Sequence, residues 1–153
     1  MTDNQALMAH AERVRRAEAE VAIAMGVTEA FIDRLVESFY ARIRDDALLA
    51  PIFGRVINDW EPHLAKMKDF WSGVALRTGR YHGRPMPAHV AIGGLTPAHF
   101  EHWLALFHAT LQDISPNPAV TDYFIDRAQR IAQSLAMGVE LHQARQRDFA
   151  SVA

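Results

Sequence analysis

The sequence predicts an all-α fold, and three observations predict it. Apolar residues recur at helical spacing through long stretches of the chain. Helix-start chemistry stands in front of these stretches: Thr28, Asp59, Thr96-Pro97 and Asn117-Pro118. No run of alternating β-branched and aromatic residues marks a strand. The expectation is five substantial helices and one very short one, with one long irregular connection.

Residues 5–25 read as a helix rich in Ala, Glu and Arg. Its apolar residues (Leu7, Val14, Val21, Ile23, Met25) are sparse, so it reads as an extension lying against the body, ended by Gly26. The helix over 29–45 puts Phe31, Ile32, Leu35, Val36, Phe39 and Ile43 on one stripe. Tyr40 is within reach of the same buried side. Its hydroxyl then needs a partner, and periodicity leaves open whether that is a backbone carbonyl or a ligand in a pocket. The run A-L-L-A-P-I-F-G, 47–54, reads as a compact apolar turn that serves as a core lid or as the wall of a flat cofactor.

The central helix follows Asp59 and carries Trp60, Leu64, Met67, Trp71 and Val74 on its stripe, with Phe70 alongside. His63 shares that face, and Lys66 lies toward its edge. Gly79 and Gly83 break the helix, and Pro85, Pro87 and Gly93-Gly94 confine a short apolar segment with His89 in its middle. A short rigid segment loses little entropy in holding one side chain still, which suits a metal ligand. Two imidazoles facing one apolar interior suggest a metal centre in an apolar slot. The helix over 97–114 carries Phe100, Trp103, Leu104, Phe107 and Leu111, while His99, His102 and His108 read as solvated. The last helix carries Val120, Phe124, Ala128, Ile131, Leu135 and Val139 inward and is expected to end near His142, with a frayed tail beyond.

Composition narrows the function. Half of the 153 residues are hydrophobic and 22% are charged, which is enough for one domain with a core. A net charge of −2 gives no concentrated positive face for nucleic acid or an anionic membrane. The absence of cysteine excludes disulfides, thiolate metal sites, iron–sulfur clusters and thioether-linked haem. The N-terminus lacks an apolar signal region and no stretch matches a membrane span, so a cytoplasmic protein is expected.

Taken in order, these residues resemble the truncated globins, and most closely group III, over roughly residues 28–140. Tyr40 in F-Y is similar to the family's distal tyrosine, and Phe53, ending R-D-D-A-L-L-A-P-I-F, to the phenylalanine that packs on the haem. His63 in W-E-P-H resembles the group's distal histidine, and F-W at Phe70 and Trp71 continues that helix. His89, ending G-R-Y-H-G-R-P-M-P-A-H, resembles the proximal iron ligand, and Trp103 in H-F-E-H-W the distal tryptophan. The paired-glycine motifs of other truncated globins are not evident, in agreement with group III.

The resemblance implies a two-over-two helical sandwich around one noncovalent b-type haem. Its domain spans 27–143, preceded by the extension 1–26 and followed by the tail 144–153. It implies His89 as the iron ligand, with His63 as a possible sixth. Tyr40 and Trp103 would donate to the bound ligand. His63 would donate as well, gate access or coordinate iron. Phe53, Leu64, Met67, Phe70, Met86, Ile92, Phe100, Phe107, Ile131 and Leu135 would wall the pocket. Lys66 would meet the propionates, with Tyr81 and Arg84 as further partners. The implied ligands are O2, NO, CO and peroxide. The implied work is NO dioxygenation or peroxidase-like turnover fed by an external reductant, or else non-enzymatic storage or sensing of O2 or NO.

Overall fold

The structure, a computed structural model, describes residues 2–152. Among them lie seven helices and no strand: α1 Asp3–Met25, α2 Glu29–Arg44, α3 Ala50–Val56, α4 Trp60–Leu76, α5 Pro85–Ile92, α6 Pro97–Ile114 and α7 Pro118–Val152. No helix of the described residues is long and apolar enough to cross a membrane.

The helix starts follow the capping chemistry of the sequence. Thr28 Oγ1 accepts the Phe31 N–H at 3.0 Å, and Asp59 Oδ1 accepts the Glu61 N–H at 3.3 Å. Asn117 works in two directions. Its Oδ1 accepts the Val120 N–H at 3.0 Å at the head of α7, and its Nδ2 donates to the Met25 carbonyl at 2.8 Å at the foot of α1. Gly26, at φ 113°, occupies the left-handed conformation that closes α1.

Several elements differ from the sequence expectation. The apolar turn at 47–54 is largely the short helix α3. Asp46 Oδ2 accepts the N–H groups of Leu48 and Leu49, at 3.1 and 2.9 Å, and so prepares the chain for that helix. α4 ends at Leu76, ahead of Gly79, because Arg77 itself turns into the left-handed region at φ 55°. α7 does not end near His142, and the tail expected to fray is helical as far as Val152. Gln, Ala and Arg beyond His142 are strong helix formers, and no Gly or Pro follows Gly138 to stop them. His99 and His102 are not simply solvated. His99 Nδ1 accepts the Thr96 N–H at 2.9 Å, and His102 Nε2 meets Asp46 Oδ1 at 2.7 Å.

The core sits where α2 lies between α4 and α6, while α7 packs on α6 and α5, and α1 rests on α4 and α7. Phe39, Phe107 and Phe124 are its largest fully buried side chains. The connection 77–84 is irregular but tethered. Arg77 pairs with Glu18 of α1, and Arg80 with Glu29 of α2 and Asp69 of α4.

Two measurements test this account. Asn117→Ala removes a cap and frees the Met25 carbonyl, and should cost about 1.5 kcal/mol, or about 5 °C in Tm. For Asp46, burial pushes the carboxyl up, but the His102 bond, the Leu49 and Leu48 N–H groups and the His102 charge together hold it below its ordinary value. Its folded pKa is depressed, so its stabilisation is present above the ordinary aspartate range and is lost as pH falls through the folded value. Asp46→Asn should flatten the acid limb of a urea-midpoint profile below about pH 4.

Candidate functional site

A cavity of about 510 Å³ opens among α2, α3, α4, α5, α6 and α7. That is the size of a small-molecule or cofactor site. Its wall is chiefly apolar, with Leu49, Ile52, Phe53, Met67, Phe70, Ile92, Leu95, Phe100, Ile131 and Leu135 among the lining side chains. Three imidazoles border it, His63 from α4, His89 from α5 and His99 from α6, together with Tyr40 and Trp103.

Tyr40 is held in a box of rings. Phe39, Phe53, Trp60 and His63 have centroids 5.3, 5.9, 5.9 and 5.1 Å from it, mostly edge to face. Burial, with a smaller contribution from the Tyr81 phenol, raises its pKa well above the ordinary tyrosine value. The hydroxyl therefore stays protonated and is a hydrogen-bond donor at any physiological pH. His63 Nε2 is buried and has no hydrogen-bond partner among the described residues. Burial, then the nearby Lys66 charge, lowers the His63 pKa, so the ring is held in its neutral form. Trp103 is fixed from behind by a stack: its ring lies parallel to Phe107 at 5.2 Å, and Phe107 stacks in turn on Trp71 at 5.0 Å.

His89 is settled differently. Its Nδ1 lies 2.7 Å from the Pro85 carbonyl oxygen, one turn back on α5. A carbonyl can only accept, so Nδ1–H is the donor. In the neutral ring, Nε2 then carries the lone pair. Phe100 flanks the imidazole at 6.4 Å between centroids.

Of the residues singled out from the sequence, Tyr40, Phe53, His63, Lys66, Met67, Phe70, Tyr81, His89, Ile92, Phe100, Trp103, Ile131 and Leu135 line the cavity. Leu64, Met86, Phe107 and Arg84 do not. Leu64 packs on the core from the other flank of the α4 stripe. Met86 turns toward Gly138 of α7. Phe107 is one ring removed from the cavity, behind Trp103, and Arg84 stands at the N-cap of α5, exposed. The sequence reading missed Trp71, His99, Ala132 and the corner from Val56 to Asp59 as lining residues. Trp71 lay on the expected stripe, but a stripe does not say which of its members borders a void. Phe107→Ala should destabilise by about 3–5 kcal/mol in urea unfolding. Arg84→Ala should stay within about 0.5 kcal/mol of the parent.

Comparison with known proteins gives a consistent result. Residues 23–137 match the family model described as bacterial-like globin. The group 3 truncated hemoglobin of Campylobacter jejuni is 36% identical over 110 residues, which cover 69% of this chain and 86% of that protein. The crystal structure of a group III truncated hemoglobin from the same species superposes with a TM-score of 0.70 at 32% identity, covering 74% of this chain and 91% of that one. A group II truncated hemoglobin from Bacillus anthracis, crystallised as a mutant, shares the fold at a TM-score of 0.61 and 22% identity, over 73% of this chain and 86% of its own. The chain belongs to the bacterial-like globins, as a truncated haemoglobin of group III.

Proposed function

We propose that this chain binds one noncovalent b-type haem through His89 and holds O2, NO, CO or peroxide against Tyr40, Trp103 and His63, for redox chemistry on the bound ligand. Membership of the globin family implies haem and the binding of diatomic ligands. The finer reading is carried by one observation. The Pro85 carbonyl accepts a hydrogen bond from Nδ1–H of His89, so that in the neutral ring the other nitrogen carries the free lone pair of a cavity-lining imidazole. This is the form in which histidine ligates iron, and the carbonyl fixes both tautomer and ring orientation.

The residues fit the group. The apolar wall suits a porphyrin, Lys66 suits its propionates with Tyr81 as a second partner, and the cysteine-free chain has no thioether link to offer. The haem-binding unit is residues 27–143, with 1–26 as an extension. When bound, haem supplies an iron that takes up O2, NO, CO or peroxide and exchanges electrons with it. The protein supplies the rest. Tyr40 O–H and Trp103 N–H are donors preorganised toward a ligand that gains negative charge, and they act strongly because the pocket excludes water. His63, neutral and unpartnered, donates a third hydrogen bond or takes the sixth coordination position. Such a pocket holds O2 tightly, which favours chemistry over bulk transport. Joining NO to O2 as nitrate consumes one electron, and reducing peroxide to water consumes two, so an external donor is required.

Ferric and dithionite-reduced spectra beside those of His89→Ala test the ligation. The parent should show a strong Soret band that the variant loses or shifts grossly, and the reduced spectrum reveals whether His63 is coordinated. A chain that cannot be reconstituted with hemin would overturn the reading. Tyr40→Phe should speed O2 dissociation about ten- to a hundred-fold, as expected for a hydrogen bond to a charged acceptor. Adding NO to the oxygenated protein should give nitrate stoichiometrically. If NO does not hasten oxidation and peroxide gives no turnover, the redox part fails and non-enzymatic storage or sensing of O2 or NO takes its place.

A further inference from the structure

The helix that carries His89 is only eight residues long and has no fully buried residue. A helix so short has no stability of its own in water. Its principal packing partner is α7, and two contacts fasten it there. At its head, Met86 lies against Gly138: a Cβ at position 138 would stand 2.3 Å from Met86 Sδ and 2.5 Å from Cε. A glycine inside a helix is unfavourable relative to alanine. Here its missing side chain is the notch that admits the thioether. Just past the foot of α5, beyond the left-handed Gly93 and Gly94, the Leu95 carbonyl accepts a hydrogen bond from Gln143 Nε2 at 3.0 Å. Neither Gly138 nor Gln143 lines the cavity.

We propose that Gly138 and Gln143 are positioning residues, a two-point mount on α7 that holds α5 and sets where the His89 imidazole stands in the cavity. The proposal builds on His89 as the iron ligand. The two points bracket His89 along the chain, one before it and one after. Met86 is one helical turn ahead of the imidazole, so displacing its thioether from the notch removes the packing contact that holds the head of the segment bearing His89. Freeing the Leu95 carbonyl loosens the other end. Gln143 lies where the sequence alone suggested the last helix had ended, so the continuation of α7 past His142 is what makes the second point available.

The test uses the full chain in four variants: Gly138→Leu, Gly138→Leu with Met86→Ala, Gln143→Glu and Gln143→Lys. Leucine fills the notch, and removing Met86 relieves the conflict. Glutamate presents no donor to the Leu95 carbonyl, whereas lysine restores one. Amide exchange over residues 86–93 is read first, without hemin. It should quicken about five-fold, the scale of one net hydrogen bond, in Gly138→Leu and Gln143→Glu, and return toward the parent rate in the other two. Unchanged exchange in chains that keep their helical circular dichroism would overturn the mount. With hemin bound, the ferrous iron–imidazole stretching band should shift or broaden in the same two variants and recover in the other two. A merely structural role would lower Tm and leave that band in place, and this result would overturn the positioning role. If the parent itself takes up no hemin, the reading of His89 as ligand fails, while the exchange rates still decide whether the mount exists.

Discussion

Burying an imidazole is costly unless its ring nitrogens find partners, and the site is arranged around how that constraint is met. His89 meets half of it within its own helix, where the Pro85 carbonyl accepts a hydrogen bond from Nδ1–H and leaves the other nitrogen free. His63 leaves Nε2 without a partner among the described residues and is kept neutral by burial and by Lys66. The cavity thus presents an unpartnered His63 Nε2, the Nε2 of His89 and a protonated phenol. On the proposed reading, a ligated metal with a small polar molecule beside it would give these groups their partners.

Rigidity around those groups comes from rings more than from hydrogen bonds. Tyr40 is boxed by four aromatic neighbours, and Trp103 is backed by Phe107 and Trp71 in one continuous stack. Edge-to-face and offset contacts fix ring planes without consuming the polar atoms they carry. Tyr40 and Trp103 are thereby held by their faces while both side chains border the cavity.

Much of this was legible in the sequence, for physical reasons that vary by residue. His89 stood out because Pro85, Pro87 and the paired glycines confine it to a segment too short to do anything but present a side chain. Tyr40 and His63 stood out as polar groups on apolar stripes, and the ordered set of motifs then assigned them. Met86 and Phe107 were misplaced because periodicity gives a face but not a depth. Met86 turned to a notch on α7 that no local pattern reveals, and Phe107 sits one layer behind the wall. An end near His142 is expected for α7 because chain termini commonly fray, whereas here helix propensity carries the chain on to Val152.

The aromatic architecture also has an optical consequence. The chain has three tryptophans, and all of them are at the site: Trp71 and Trp103 in its wall, and Trp60 against Tyr40 and His63. None is placed where it would glow independently of what the cavity contains. A porphyrin there absorbs the light that indoles emit, so the filled protein would be nearly dark in the ultraviolet and the emptied one bright. The fold thus carries a fluorescent gauge of its own occupancy, with no label added.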